Sequence, residues 1–388
     1  MPRNWKELLA SRRQQWLKQL WGEIMALIDE ISAARQTIVK DGFDMSIGEL
    51  IRIYEKKELL INPVYQRSFR WDESRKTRFI ESLILGIPIP PIFVFTDEHG
   101  RWELIDGLQR LSTIFQFAGV LRNPEGTGLE PSFIPSGTKL IPSLNEVVWE
   151  SEADTEEGLP LAVRLDVERV RIRVEILKRE SDGRAKFELF QRLNSGGAEL
   201  SPQESRNCVA TMLNPNFFSA LVSMSEYGPF RNTTLLTSRA IEEQKHVELV
   251  LRYLAYQYKP YQNGIDVHDW LDEVLIDMAQ DPHFDLVDEA SRFEKTFKLL
   301  DDLLGPDTFK RFEGGFIGGF SIASFEAITH GVATYLDQYS ALTDKSQLTA
   351  KIQGMWSEYQ FIESTKAGTR GSTRLSKLLP FSVIWFSI

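Results

Sequence analysis

The chain has 388 residues and a formal net charge of −10, and its length favours two domains. Its single cysteine, Cys208, excludes an internal disulfide and fits a reducing cytoplasm. No signal peptide and no run of about 18 apolar residues is visible, so we expect a cytoplasmic protein without a membrane span. The charge is uneven: residues 266–302 are strongly acidic, whereas residues 62–78 and 164–186 carry an excess of bases. A phosphate ligand is therefore not excluded.

The first predicted element is a long amphipathic helix over residues 4–40, which carries three tryptophans. We assign residues 1–42 to this helix, with Gly42 as its stop. It packs against the rest of the chain or, alternatively, joins copies of the chain in a homo-oligomer. A second helix is predicted over residues 45–57, with Ser46 as its N-cap.

Strand and helix patterns then alternate. Turn residues between apolar runs indicate a hairpin around residues 98–100, and a glycine and proline cluster ends the helix that comes before it. The predicted strands are residues 59–62, 92–96 and 102–105, and the predicted helix is residues 72–85.

Residues 122–160 are rich in proline, glycine, serine and acids, which is typical of a long excursion or lid. Apolar and basic residues alternate over 170–177, which predicts a half-buried strand. A helix is predicted over 182–192. Ser201, followed by proline and by Glu204, predicts a capped helix start. From there to the end the pattern is almost wholly helical.

The stretch WELIDGLQRLSTI contains a candidate binding site. The predicted strand over residues 102–105 is followed by Asp106 and Gly107, and the glycine lets the chain turn sharply into a helix. The amides of that helix start favour a phosphate, Arg110 could clamp it, and Thr113 or Ser112 could add hydroxyls. A tight turn with a surface arginine is the alternative interpretation.

Two further stretches are candidates. NPVYQRSFRWD places Arg67 and Arg70 among aromatic residues, as in ligand clamps and stacking platforms. Core aromatic residues with salt-bridged arginines would give the same pattern. FELFQRLNSGGAELSPQE ends a helix at Asn194 before two glycines, which suggests exposed backbone amides. A helix C-cap and linker is the alternative there.

These stretches, in this order, resemble the N-terminal domain of GmrSD-type, modification-dependent restriction enzymes. That family is related to the ParB/sulfiredoxin-like fold and to SspE-type phage-defence proteins. The resemblance rests on MSIGELIRIYEKKELLINPVYQRSFRW, ESLILGIPIPPIFVF, DGLQRLST and FQRLNSGGAELSPQESRN, and it covers about residues 43–210. It implies an α+β, ParB/sulfiredoxin-like domain over residues 43–215, with the excursion at 122–160. An all-α domain over residues 216–388 would follow.

The resemblance also implies nucleotide binding and hydrolysis coupled to defence against foreign DNA, with a nucleoside triphosphate as ligand and Mg²⁺ as its companion. Arg110 and Arg67 would offset phosphate charge while Asp106 and Gln109 orient water or metal. The implied nucleotide-binding residues are Tyr65, Gln66, Arg70, Gly107, Asn194 and Gly197. Where the family has a first glutamine in its hallmark, this chain has Leu108.

No histidine of the sequence stands in a His-Asn-His nuclease pattern, and no Cys/His cluster has metal-ligand spacing. We therefore expect no nuclease centre and no metal site of the chain's own. A partner nuclease would then cleave the DNA. A non-catalytic sensor of a nucleotide or of modified DNA is the alternative function. The glycine-rich GGFIGGF lacks the lysine of a P-loop, and a close helix approach or a loop is expected there.

Overall fold

The computed structural model describes Met25, Leu27 and residues 40–61, 71–97, 99–123, 126–151, 158–178, 201–366 and 368–388. Its backbone divides the chain into two compact units, Met1–Ala198 and Glu199–Ile388, called here the N-terminal unit and the helical unit. The mixed α+β class followed by a helical region agrees with the sequence analysis. The boundary between the two units lies N-terminal to the boundary predicted between residues 215 and 216. The reason is that the helix over 202–213 packs with the helices that follow it.

The N-terminal unit contains a mixed sheet of five described strands in the order β1-β5-β3-β4-β2. β1 pairs with β5 and β3 with β4 in antiparallel fashion, whereas β3–β5 and β2–β4 are parallel. The register of β3 and β4 shifts between Phe93 and Val94, beside the pairing of Phe93 with Asp106. The strands are β1 (Lys40–Ser46), β2 (Leu59–Leu60), β3 (Ile92–Thr96), β4 (Trp102–Asp106) and β5 (Arg171–Leu177).

Four described helices of this unit surround a core in which Leu50, Ile80, Leu111 and Val174 are almost fully buried. The predicted N-cap of the first helix is confirmed, because Ser46 and Glu49 form a capping box. The helices are α1 (Ile47–Glu55), α2 (Glu73–Ile84), α3 (Leu108–Phe117) and α4 (Leu161–Arg169).

Two elements of this unit, β1 and α4, were not predicted from the sequence. Lys40 was predicted to end a helix, but it begins β1, where Gly42 fits closely against β5: a Cβ there would lie 2.9 Å from the Val174 carbonyl oxygen. α4 was also missed, and within it only Val167 is buried. The rest of the predicted N-terminal helix lies outside the described residues, apart from Met25 and Leu27, which are helical. The helix predicted over 182–192 lies outside them as well.

The helical unit is built mainly of helices, as predicted, and its first helix has the predicted capping box of Ser201 and Glu204. Its helices are α5 (Pro202–Leu213), α6 (Pro215–Ser225), α7 (Gly228–Thr234), α8 (Ser238–Glu242), α9 (Lys245–Tyr258), α10 (Val267–Gln280), α11 (Leu286–Leu304), α12 (Ile322–Thr334), α13 (Leu336–Ala341), α14 (Ser346–Gly354), α15 (Tyr359–Thr365) and α16 (Gly371–Trp385).

One feature of this unit departs from the predicted helical pattern. The glycine-rich segment forms a small antiparallel hairpin of β6 (Arg311–Phe312) and β7 (Phe316–Ile317). The core of the unit is aromatic, with Phe230, Phe293 and Phe297 fully buried and in mutual ring contact. Cys208 is buried within α5.

Candidate functional site

The candidate site is the turn between β4 and α3. β4 ends at Asp106, Gly107 has a φ of 106°, and α3 begins at Leu108. This backbone conformation is open to glycine but costly for other residues. A Cβ on Gly107 would also lie 2.5 Å from Cγ2 of Ile92 on β3. Both constraints require glycine at this position. The predicted strand–glycine–helix junction is therefore present.

The N-terminus of α3 lacks a side-chain cap. Its N-cap residue is Gly107, which has no side chain to accept hydrogen bonds from the first-turn amides. These amides point out of the helix end, and the helix dipole gives that end a partial positive charge. Such an end can accept an anion such as a phosphate.

Arg110 lies one turn into α3 and is tied back to the end of the strand. Its Nη2 lies 2.8 Å from Oδ2 of Asp106. The two side chains are 15% and 28% exposed respectively, so the pair is accessible at one edge. The Arg110 Nε atom is buried and has no hydrogen-bond partner among the described residues. The Arg110 Nη2 atom lies beside the N-terminus of α3, 3.5 Å from the position that a Cβ on Gly107 would take, and a guanidinium there is a suitable donor to an anion.

Gln109 links α3 to the start of α2. Its Oε1 accepts a hydrogen bond from the backbone N–H of Trp71 at 3.0 Å. One turn further along, the Thr113 hydroxyl donates to the Gln109 carbonyl at 2.7 Å, and Thr113 is fully buried. The Gln109 carboxamide oxygen thus holds the Trp71 backbone in place, and the Thr113 hydroxyl does not reach the surface.

Two other residues of the first turns face inward. Ser112 is fully buried, and its hydroxyl has no hydrogen-bond partner among the described residues. Leu108, which replaces the first glutamine of the hallmark, is half-buried and packs against the hydrophobic core. Its position therefore contributes to packing in this chain.

The described structure brings Asp106, Gly107, Gln109 and Arg110 together at one turn. Thr113 and Ser112, the predicted sources of a phosphate-binding hydroxyl, lie further along α3 with their hydroxyls buried. The other predicted site residues lie outside the described residues: Tyr65, Gln66, Arg67, Arg70, Asn194 and Gly197. Their placement at the same pocket stays a prediction.

Two contacts that shape the turn were not found from the sequence. One is the Trp71–Gln109 hydrogen bond, and the other is the Ile92 side chain beneath Gly107. The first joins residues 38 positions apart, and both depend on how strands and helices pack. Local spacing carries no signal for either contact.

Two other features are absent from the described ranges, a metal-binding cluster and a membrane-spanning helix. Within them, no group of three or more histidine, cysteine, aspartate or glutamate side chains could hold a metal ion. In the same residues, every helix is too short or too polar to cross a bilayer.

One comparison with known proteins gave a match. Residues 47–210 match the model of the GmrSD restriction endonuclease N-terminal domain. Neither the curated proteins nor the solved structures contain a match to the chain, so the ParB/sulfiredoxin-like assignment of the fold stays a prediction. The family match indicates a component of a restriction or phage-defence system. Residues 47–210 of this chain thus form a domain of the GmrSD restriction endonuclease N-terminal family.

Proposed function

We propose that the β4–α3 turn binds the phosphates of a nucleoside triphosphate and that the N-terminal domain hydrolyses it. In this proposal the chain regulates a restriction system that acts on DNA through a partner nuclease. The observation that carries it is the uncapped N-terminus of α3 beside the Arg110 guanidinium. The helix end and the cation favour the same kind of ligand, an anion with several oxygens.

The Asp106–Arg110 pair gives the site a carboxylate as well as a guanidinium cation. Arg110 would offset the charge that develops on the phosphate. Asp106 is the carboxylate at the turn, and it suits Mg²⁺, which proteins often bind through one or two carboxylates together with substrate phosphates. Gln109 already holds the Trp71 backbone through its side-chain oxygen, so we assign it a positioning role at the entrance to α2.

The experiment measures phosphate release from ATP, GTP, CTP and UTP in the presence of Mg²⁺, with and without DNA. The variant is Arg110→Ala. The matched control is Arg101→Ala, which removes another arginine with an i,i+4 ion pair of 2.8 Å, to Asp97. We expect at least one nucleotide to be hydrolysed by the wild type and by Arg101→Ala. Arg110→Ala should lose turnover by about a hundredfold or more, as when one transition-state donor is removed.

A different result would reject the assignment. If the two variants lose turnover equally, general destabilisation and not phosphate handling explains the loss. If turnover is present and unaffected in Arg110→Ala, catalysis lies elsewhere in the chain.

A second candidate function is a non-catalytic sensor, in which the turn binds nucleotide or modified DNA and relays that binding to a partner. Leu108 favours this function, because its apolar side chain packs against the core and cannot orient a water molecule. The sensor predicts saturable binding that depends on Arg110, with no phosphate release from any of the four nucleotides.

A further inference from the structure

A cleft of about 670 Å³ lies within the helical unit. Its walls come from the β6–β7 hairpin, the start of α12, the segment before α15, α15 itself and the start of α16. This volume is in the range of clefts that bind a small molecule. None of the residues that form the β4–α3 turn contributes to it.

Cationic side chains line the cleft. Among the described residues that line it there are three cations, Arg311, Lys366 and Arg374, and no acid. Each cation is paired with an acid outside the lining, Glu313, Glu363 and Glu326 respectively. Such a lining favours an anionic ligand.

Arg374 is held in a fixed orientation at the cleft. Its Nε and Nη2 donate to the two carboxylate oxygens of Glu326 at 2.7 and 3.0 Å. Glu326 is fully buried and also accepts from Arg252 at 3.1 Å. The Arg374 side chain is 18% exposed, and its Nη1 makes no hydrogen bond with any described residue. The guanidinium is therefore preorganised to donate to a ligand.

Aromatic side chains stand beside these cations. Phe320 and Trp356 line the cleft and are half-buried. The buried Phe361 supports Trp356 in an edge-to-face contact with ring centroids 5.0 Å apart. The indole N–H of Trp356 is buried and has no partner among the described residues. Aromatic faces next to cations are the common features of sites that stack a nucleobase and hold its phosphate.

The β6–β7 hairpin, which contributes Arg311 to the cleft, has a glycine-rich turn outside the lining residues. Gly314, Gly315, Gly318 and Gly319 have no heavy atom within 4 Å of the position that a Cβ would take. Such a segment lets backbone amides approach a phosphate without interference from side chains.

We propose that this cleft binds a phosphate-linked nucleobase, as a second site separate from the β4–α3 turn. Arg374, Lys366 and Arg311 hold the phosphate, and the base stacks on Phe320 and Trp356. A free nucleotide and a nucleotide within single-stranded DNA share this chemistry.

The experiment uses the full chain and two probes, 2′-deoxyadenosine 5′-monophosphate and a fluorescein-labelled oligo(dA) of six nucleotides. Dissociation constants are measured by calorimetry and by fluorescence anisotropy. The test variant is Lys366→Glu, and the matched control is Lys298→Glu. Both lysines are 58% exposed and paired with an acid one turn away on the same helix or at its end, but Lys298 lies outside the cleft.

We expect Lys366→Glu to weaken binding of at least one probe by about tenfold or more, and Arg311→Glu to do the same. Lys298→Glu should bind as the wild type does, and Arg110→Ala is measured beside it to show how much of the binding belongs to the β4–α3 turn. If Lys366→Glu weakens the binding of both probes, a free nucleotide is sufficient as the ligand. If it weakens the binding of the oligonucleotide alone, the ligand is single-stranded DNA.

Three results would overturn the proposal. The first is the absence of binding by either probe. The second is an equal loss in Lys366→Glu and Lys298→Glu, which would indicate general electrostatic attraction. The third is binding that disappears in Arg110→Ala and persists in Lys366→Glu, which would place both probes at the β4–α3 turn. Arg110→Ala is measured beside the cleft variants. A wrong assignment of the β4–α3 turn and a wrong assignment of the cleft therefore give different results.

Discussion

At the scale of single residues, Gly107 sets the geometry of the candidate site. Its positive φ directs the chain from β4 into α3, and Ile92 occupies the space that a Cβ would need. A substitution there has two costs, backbone strain and a steric overlap closer than 3.0 Å, which no other described glycine of this unit combines. Gly100, for example, has a φ of 78° but no atom within 4 Å of the Cβ position.

We therefore predict that Gly107→Ala lowers the free energy of unfolding by about 3 kcal/mol or more, the sum of a left-handed backbone cost and an overlap cost. Gly100→Ala carries the backbone cost alone and should lose about 1 kcal/mol. Urea unfolding followed by circular dichroism measures both values. Equal losses in the two variants would show that Ile92 does not restrict the turn.

The identity of residue 108, here leucine, distinguishes between nucleotide hydrolysis and non-catalytic sensing. The family resemblance implies a glutamine at this position, and here the side chain packs against the core. If that glutamine orients the attacking water, Leu108→Gln should raise the rate of phosphate release by about tenfold or more, as positioned general acid–base groups do. Leu108→Met, which keeps the packing and adds no amide, is the control. An equal rate in the two variants would assign the position to packing alone.

At the scale of elements, the helical unit depends on a buried chain of charges that joins α9, α12 and α16. Glu248 pairs with Arg252 at 2.8 Å, and Glu326 pairs with Arg252 at 3.1 Å and with Arg374 at 2.7 Å. Glu326 is fully buried. Removing one partner leaves buried charge uncompensated, which costs much more than an exposed ion pair contributes.

We predict that Glu326→Ala destabilises the protein by about 3–5 kcal/mol, because both arginines lose a buried counter-ion. The control is Glu243→Ala, which removes the exposed pair with Arg239 on α8 and should cost less than about 1 kcal/mol. Urea midpoints of the two variants provide the comparison. A small loss in Glu326→Ala would mean that water reaches the arginines.

The capped helix starts were predictable because they are set by neighbouring residues. Both capping boxes, at Ser46 and at Ser201, join residues three positions apart, so the sequence carries their whole signal. β1 depends on pairing with β5, more than a hundred residues away, and its Gly42 suggested a stop. For the candidate site, the strand–Gly107–helix turn was predictable, whereas the Trp71–Gln109 contact was not, because it needs the packed unit.

At the scale of the whole molecule, stability should depend on pH through buried histidines of the helical unit. Burial and the nearby Arg231 lower the pKa of His246 from 6.5 to about 4. Burial also lowers the pKa of His330 to about 4. The folded protein therefore binds fewer protons than the unfolded chain between pH 6.5 and 4.

It follows that the stabilising contribution of these histidines is fully present above about pH 6.5 and is lost as the pH falls toward 4. The loss amounts to about 3 kcal/mol per histidine at the lower end. We predict that His246→Phe, which keeps an aromatic ring beside Phe230, flattens the dependence of the unfolding free energy on pH. His99→Gln, an exposed turn residue, serves as the control. A profile unchanged by His246→Phe would assign the acid sensitivity to other groups.

Binding of nucleotide phosphates at the β4–α3 turn can be measured without turnover. Non-hydrolysable analogues of the four nucleoside triphosphates would be titrated by calorimetry, with Mg²⁺, into the wild type, Arg110→Ala and the control Arg101→Ala. The account predicts saturable binding of at least one analogue that is about tenfold or more weaker in Arg110→Ala and unchanged in Arg101→Ala. Binding that is equally tight in all three proteins, or absent from the wild type, would contradict it.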